Sequence, residues 1–333
     1  MRAMNWKGVK VAVTGAGGFI GSHLTEELAR QGAKVRAMVR YNGAGSRGFL
    51  EETPAALRRR IEVRAGDVRD PHFVEDFCAG QEVVFHLAAL IAIPYSYEAP
   101  SSYAQTNVQG TLNVLQACRR GRVGRLVHTS TSEVYGTALY TPIDEAHPLQ
   151  PQSPYSASKI GADALAESFH RSFGLPVTIA RPFNTFGPRQ SARAVIPTIA
   201  SQLLSGAAEL RIGALEPVRD FNHVADTVDG FLALAASKRC VGQTVNLGSG
   251  RGVTIGRTTE MLMRLAGRRA KIRVEKARLR PERSEVYKLI CGNAKAKRLA
   301  GWRPRRTLEQ GLSDVLAYVA AHAERYKPGL YNV

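Results

Sequence analysis

The stretch VKVAVTGAGGFIGSHLTEELARQG, residues 9–32, constrains the fold more than any other part of the chain. Its first run is apolar except for Lys10 and Thr14 and stops at Gly15, the mark of a strand buried on both faces. From Phe19 onward apolar residues recur at helical spacing until Gly32. A strand that passes into a helix through glycines exposes backbone N–H groups at the helix start, where a pyrophosphate fits. Gly15, Gly18 and Gly21 stand at GxxGxxG spacing, with Ile20 where the GxGxxG form has its third glycine. Between a strand and a helix, this loop reads as a dinucleotide site; the other reading is a merely tight turn.

The rest of the chain repeats the pattern. Apolar runs at 33–39, 61–68, 82–90, 125–130 and 175–183 read as further strands, with helical stretches at 103–119 and 154–173 between them. Alternation of this kind predicts an α/β fold, a Rossmann-type doubly wound parallel sheet. Beyond residue 184 the pattern changes. Helical stretches at 195–206, 256–267 and 307–325 surround a late strand at 244–250. The expected division is a dinucleotide-binding domain of residues 1–184 plus 219–250. A smaller α/β C-terminal substrate lobe takes 185–218 plus 251–325, and 326–333 is a tail.

Composition narrows the partners. The net charge is +18, but the basic residues are spread along the chain without an aromatic platform or a DNA-binding motif. No nucleic-acid partner is expected; a positive field also draws in an anionic substrate. Cys78, Cys118, Cys240 and Cys291 are far apart, so neither disulfides nor a metal site is expected, and a reducing cytoplasm fits. Met1–Lys10 lead straight into a strand rather than a signal peptide, and no apolar run is long enough to span a membrane.

At the end of the second strand an acid commonly binds the ribose of NAD. Here the chain reads MVRYN, 38–42. Arg40 can instead meet a 2′-phosphate, which favours NADP; a plain surface arginine is the other reading. Asp67, after the third strand, can hold adenine or serve a turn. His86, within an apolar run, reads as a packed core histidine.

Two further stretches carry chemistry. HTSTSEVYG, 128–136, sets Glu133 among hydroxyls at a strand end, a costly place for a carboxylate without a polar partner. SPYSASK, 153–159, reads as a helix start capped by Ser153, with Tyr155 and Lys159 on one face. An ammonium beside a phenol favours the phenolate, a usable base.

GxxGxxG, HLAA (86–89), TSTSEVYG, YSASK, RPFNTFGPR (181–189) and RDF (219–221) occur in this order. Over nearly its whole length the chain resembles the extended short-chain dehydrogenase/reductases that act on nucleotide sugars. The resemblance implies NAD or NADP, tightly bound and recycled. It places that cofactor along Gly15, Gly18, Phe19, Ile20, Gly21, Arg40, Asp67, Val68, Leu87, Ala88, Ala89, Asn107, Thr129, Tyr155, Lys159 and Pro182. It assigns the nucleotide sugar to Ile93, Pro94, Thr131, Asn184, Arg193, Arg219 and Arg280, with Arg280 on the diphosphate. It also implies a homodimer through the helices at 103–119 and 154–173.

Within that group, Thr131-Ser132-Glu133 resembles the dehydratases. A 4-ketone acidifies the C5–H bond, and a carboxylate can take that proton and pass it to the C6 hydroxyl as it leaves. Ser132 is a poor acid, so Glu133 serves both proton steps. Residues 90–111, 142–163 and 183–199 most resemble UDP-N-acetylglucosamine 4,6-dehydratases of legionaminic-acid-type pathways. The alternatives are a 4-epimerase, a UDP-glucuronate decarboxylase, a 5,6-dehydratase, or a dinucleotide sensor without catalysis.

Overall fold

A computed structural model of the chain describes residues 4–330. Seven parallel strands form its central sheet: β1 (Lys10–Thr14), β2 (Lys34–Arg40), β3 (Ile61–Gly66), β4 (Val83–His86), β5 (Arg125–Thr129), β6 (Val177–Pro182) and β7 (Thr244–Leu247). Their spatial order is β7-β6-β5-β4-β1-β2-β3. The chain therefore starts in the middle of the sheet, builds to one edge, then returns to build the other. The reversal leaves a crevice between the C-terminal ends of β1 and β4, the place where this architecture holds ligands.

Helices α1 (Phe19–Arg30), α2 (Pro71–Cys78), α3 (Gly110–Arg120) and α4 (Pro154–Phe173) supply the early crossovers. One face of the sheet buries Val11, Val13, Leu24, Leu28, Phe85 and Phe231; the other buries Val84, Leu126, Leu115, Phe77 and Phe169. Burial on both faces explains the near-continuous apolar runs of β1 and β4, whereas the edge strand β3 alternates and buries only Ile61.

The expected helix at 103–119 differs in detail. Pro100–Tyr103 forms one α-turn, Ala104–Gln109 winds as a π-helix, and α3 continues from Gly110. The wide turn carries Asn107, whose amide donates to the Leu90 carbonyl and accepts from the Leu90 N–H, at 2.9 and 2.8 Å.

Helices α5 (Val195–Leu204), α6 (Val224–Ala236), α7 (Ile255–Leu265) and α8 (Leu308–Ala321) follow. A third cluster joins Ile196, Ile199, Leu203, Ile255, Leu262, Leu312 and Val315 from α5, α7 and α8. Residues Ala296, Leu299 and Trp302, by contrast, pack into the core of the sheet beside α6. Tyr326, in the stretch read as a tail, is buried and donates to the Gln190 carbonyl at 3.0 Å. Residues 331–333 of that stretch lie outside the described residues.

Candidate active site

Three glycines shape the loop after β1. Gly15 has φ +69°, and a Cβ there would lie 2.8 Å from the Ala88 backbone nitrogen. A Cβ on Gly21 would lie 2.1 Å from the Gly15 carbonyl oxygen, so α1 starts hard against the loop. Gly18 is exposed at the tip. The result is a cradle beside the first N–H groups of α1, with Phe19 and Ile20 half-buried along it.

Thr14 ends β1 and organises the crevice. Its Oγ1 accepts from the Leu87 and Ala88 N–H groups at 3.0 and 3.1 Å and lies 2.8 Å from His86 Nδ1. Because Thr111 donates to the Asn107 carbonyl, its oxygen is left to accept from His86 Nε2 at 3.0 Å. Thr14 therefore donates to Nδ1. His86 is a fully bonded core histidine, held neutral by burial. Ala89 and Leu90 continue half-buried above it.

At the β2 end Arg40 is exposed, with Tyr41 and Asn42 but no acid next to it. Asn42 braces the following loop through Ser46, and Phe49 N–H donates to the Gly17 carbonyl at 3.0 Å. This loop lies against the glycine cradle. Both oxygens of Asp67 are held by Arg69, at 3.0 and 2.6 Å, and that hydrogen bonding keeps the carboxyl below its usual range. Val68 is buried beneath Gly110.

Beyond β5 the chain stays extended through Thr131 and then turns tightly over Ser132–Tyr135. Thr131 Oγ1 accepts from the Glu133 N–H at 3.2 Å. Opposite lies the start of α4, where Ser153 and Ser156 form a reciprocal cap and Pro154 fits the first turn. That cap fixes Tyr155, whose phenol lies close enough to the Thr131 hydroxyl for it to favour the phenolate. One turn on, Lys159 is 3% exposed and donates to the Thr129 carbonyl at 2.7 Å. Burial raises the Tyr155 pKa and lowers that of Lys159 to about 8. The Thr131 hydrogen bond opposes the first shift and the Asp163 charge opposes the second.

Glu133, only 8% exposed, faces Arg280 across 3.5 Å. Arg219 pairs with Glu285 at 3.1 Å. Arg280, expected on a diphosphate, thus rests on the carboxylate expected to do proton transfer. Tyr97 meets Ser284 at 2.6 Å, which fastens the 280–285 segment over the helix that carries Ile93 and Pro94. Ile93 packs with Tyr103 and Tyr155. Arg193 is exposed and bonds Ser191, within its own turn, at 3.3 Å, with its charge felt at Tyr103. Asn107 is spent on Leu90 and Ser158 rather than left open to a ligand. Pro182 is buried at the β6 end, next to the β-strand residue Asn184.

The site also contains residues that the sequence reading passed over: Asp163, Arg181, Tyr97 and Glu285. Asp163 carried a signal, because it follows Lys159 by one helical turn. Arg181 carried none beyond its place in RPFNTFGPR, and Glu285 carried none.

Thr129 Oγ1 and Asn184 Oδ1 are buried without a hydrogen-bond partner among the described residues. Such orphans at a crevice fit groups that bond a bound molecule, and with the open cradle they suit NAD or NADP. Among the described residues no cluster of His, Cys, Asp or Glu could hold a metal, and no helix is long and apolar enough to cross a membrane.

The family model described as GDP-mannose 4,6 dehydratase matches residues 12–315. The chain belongs to that family. Among its relatives is the dTDP-glucose 4,6-dehydratase of Actinoplanes sp., 32% identical over 94% of this chain and 98% of the relative. An uncharacterized UDP-glucose epimerase of Bacillus subtilis is 30% identical over 94% of this chain and 98% of its own. The crystal structure of the Streptomyces venezuelae dTDP-glucose 4,6-dehydratase, with NAD bound, matches at TM-score 0.84 and 30% identity, covering 96% of this chain and 99% of that one. Solved relatives hold NAD or NADPH. The GDP-mannose 4,6-dehydratase family member described here accordingly has the Rossmann fold and the NAD(P) site of that family.

Proposed function

We propose that this protein is an NAD(P)-dependent 4,6-dehydratase of UDP-N-acetylglucosamine, yielding a 4-keto-6-deoxy sugar nucleotide. The observation that carries the reading is Glu133: a buried carboxylate whose N–H donates to Thr131, on the turn that faces the Tyr155 phenol. A 4-epimerase needs only the tyrosine, the lysine and the hydroxyl, so a carboxylate there favours elimination.

Tyr155 takes the proton of the sugar 4-hydroxyl while Thr131 orients that oxygen. Lys159, fixed by the Thr129 carbonyl, supplies positive charge to the resulting phenolate. When bound, the nicotinamide would supply a reversible hydride acceptor, for oxidation at C4 and reduction at C6. Glu133 removes the C5 proton, which the 4-ketone has made acidic, and donates it to the C6 hydroxyl, which leaves as water; C5 then takes one proton from solvent as C6 is reduced, matched by the proton that Tyr155 drew from O4 and releases. Ser132 is buried and cannot act as an acid, so one group does both.

The UDP-N-acetylglucosamine assignment rests on the sequence stretches around the pocket; dTDP-glucose is the competing substrate that the relatives favour. We place the nucleotide half in the lobe of residues 185–218 plus 251–325, near Arg193, Arg219 and Arg280. A homodimer through α3 and α4 is consistent with the exposed small residues Ala157 and Ala164 on α4.

Mass spectrometry after incubation with UDP-N-acetylglucosamine, dTDP-glucose, UDP-glucose and UDP-glucuronate tests the reading. A product lighter by one water from the first supports it. Unchanged mass with inverted C4 means epimerisation, loss of carbon dioxide means decarboxylation, and no product with any donor favours a sensor.

A further inference from the structure

Behind the catalytic pair lies a buried polar network with no place in the proton transfers above. Asp163 is 3% exposed. Its Oδ2 accepts from Ser130 Oγ at 2.6 Å and from Arg181 Nη2 and Nε at 2.9 and 3.1 Å. Its Oδ1 lies 3.2 Å from His128 Nε2. Arg181 continues to the Tyr135 hydroxyl at 3.0 Å, and Tyr135 to Asn246 at 2.8 Å. These four contacts fill the acceptor sites of the buried carboxylate.

Its placement ties that network to the catalytic pair. Asp163 follows Lys159 by one turn on the same face of α4. Through Ser130 it also grips the segment that supplies the Thr129 carbonyl to Lys159 and the Thr131 hydroxyl to Tyr155. Other groups face Lys159 as well. His128 on β5 and His86 on β4 are both held neutral by burial, and the Tyr155 phenol shares its helix. Glu133 acts on the Tyr155 side, and the Arg181 charge lies beyond the carboxylate. Asp163 is thus the negative charge set against an ammonium otherwise surrounded by neutral groups and cations.

We propose that Asp163 is a positioning residue: its carboxylate keeps Lys159 cationic and pins Thr129–Thr131 against α4. This rests on the reading of Tyr155 and Lys159 as the acid–base pair, but its test does not. Burial lowers the Lys159 pKa to about 8 against 10.5 when unfolded, and the Asp163 charge limits that drop. Between those values the unfolded chain binds more protons, so the Lys159 contribution to stability rises with pH and falls away as pH drops through about 8.

The test compares the thermal midpoint of the full chain with that of Lys159→Met from pH 6 to 10, about two units either side of the expected break. The comparison is repeated in Asp163→Asn, in Asp163→Asn/Arg181→Met and in Ser130→Ala. The double variant avoids leaving Arg181 buried and unpaired, and losing that cation by itself would move Lys159 the opposite way. The expected result is a break displaced downward by about 1 pH unit or more in the double variant, and unmoved in Ser130→Ala. Where a water-loss assay works, the alkaline limb of kcat should move with it, whereas Ser130→Ala should lower kcat without moving the limb. An unmoved break in the double variant overturns the proposal, as does an equal displacement in Ser130→Ala. Absence of any catalytic activity, with the break displaced, would count against the dehydratase reading alone.

Discussion

Arg280 Nη1 lies 3.5 Å from Glu133 Oε2, although the two are 147 residues apart and each has a different task in the proposed reaction. The pair is long, and the arginine side chain retains 24% of its exposure. At 3.5 Å the contact is at the limit of hydrogen-bond reach, so a substrate diphosphate, which offers shorter charged bonds, can draw the guanidinium away and leave the carboxylate to the sugar. Replacing Arg280 with Met should therefore raise KM and the inhibition constant of free UDP together, by about tenfold or more, given ~1.5–3 kcal/mol for a charged hydrogen bond. A fall in kcat with both constants unchanged would place Arg280 permanently on Glu133.

Tyr155→Phe removes the base while keeping the ring that packs on Tyr103 and Ile93. Turnover should fall by about 10²–10⁴, the usual worth of a positioned base, with the thermal midpoint little changed. Steady-state rates and a melting curve on the same preparation separate loss of chemistry from loss of fold.

The cofactor loop gives a structural prediction. A Cβ on Gly21 would meet the Gly15 carbonyl oxygen at 2.1 Å, backbone against backbone, with no flexible side chain to yield. Gly21→Ala should cost about 1–3 kcal/mol and abolish retention of the dinucleotide through gel filtration. Gly43→Ala, where nothing lies within 4 Å, should do neither.

Arg40 occupies the end of β2, where the sequence has no acid to meet a ribose 2′-hydroxyl, and the nearby Asp67 carboxylate is taken up by Arg69. The protein stripped of cofactor should bind NADP more tightly than NAD in fluorescence titration, and Arg40→Ser should reduce the preference by about tenfold. Equal affinities in the parent protein would return Arg40 to the surface.

The sheet was legible because its strands are buried on both faces: runs such as Val83–His86 and Val177–Pro182 announce themselves without long-range information. The capped start of α4 was equally local, since Ser153, Pro154, Tyr155 and Lys159 lie within two turns. Partnerships across the chain were not. Nothing in the neighbourhood of Glu133 names Arg280, and Arg181 reaches Asp163 only because β6 passes beside α4. The π-helix at Ala104–Gln109 was hidden for a similar reason: Asn107 answers to Leu90, not to its helical neighbours.

The central claim is that Glu133 turns a C4 oxidation into loss of water. The most direct measurement follows deuterium from C4 of UDP-N-acetylglucosamine, with dTDP-glucose run in parallel, in parent protein and in Glu133→Gln. The account predicts a dehydrated product carrying the label on its C6 methyl in the parent. In the variant it predicts no water loss, with transient cofactor reduction still visible. Label returned to C4 in a sugar of unchanged mass, or water loss unimpaired in Glu133→Gln, would contradict it.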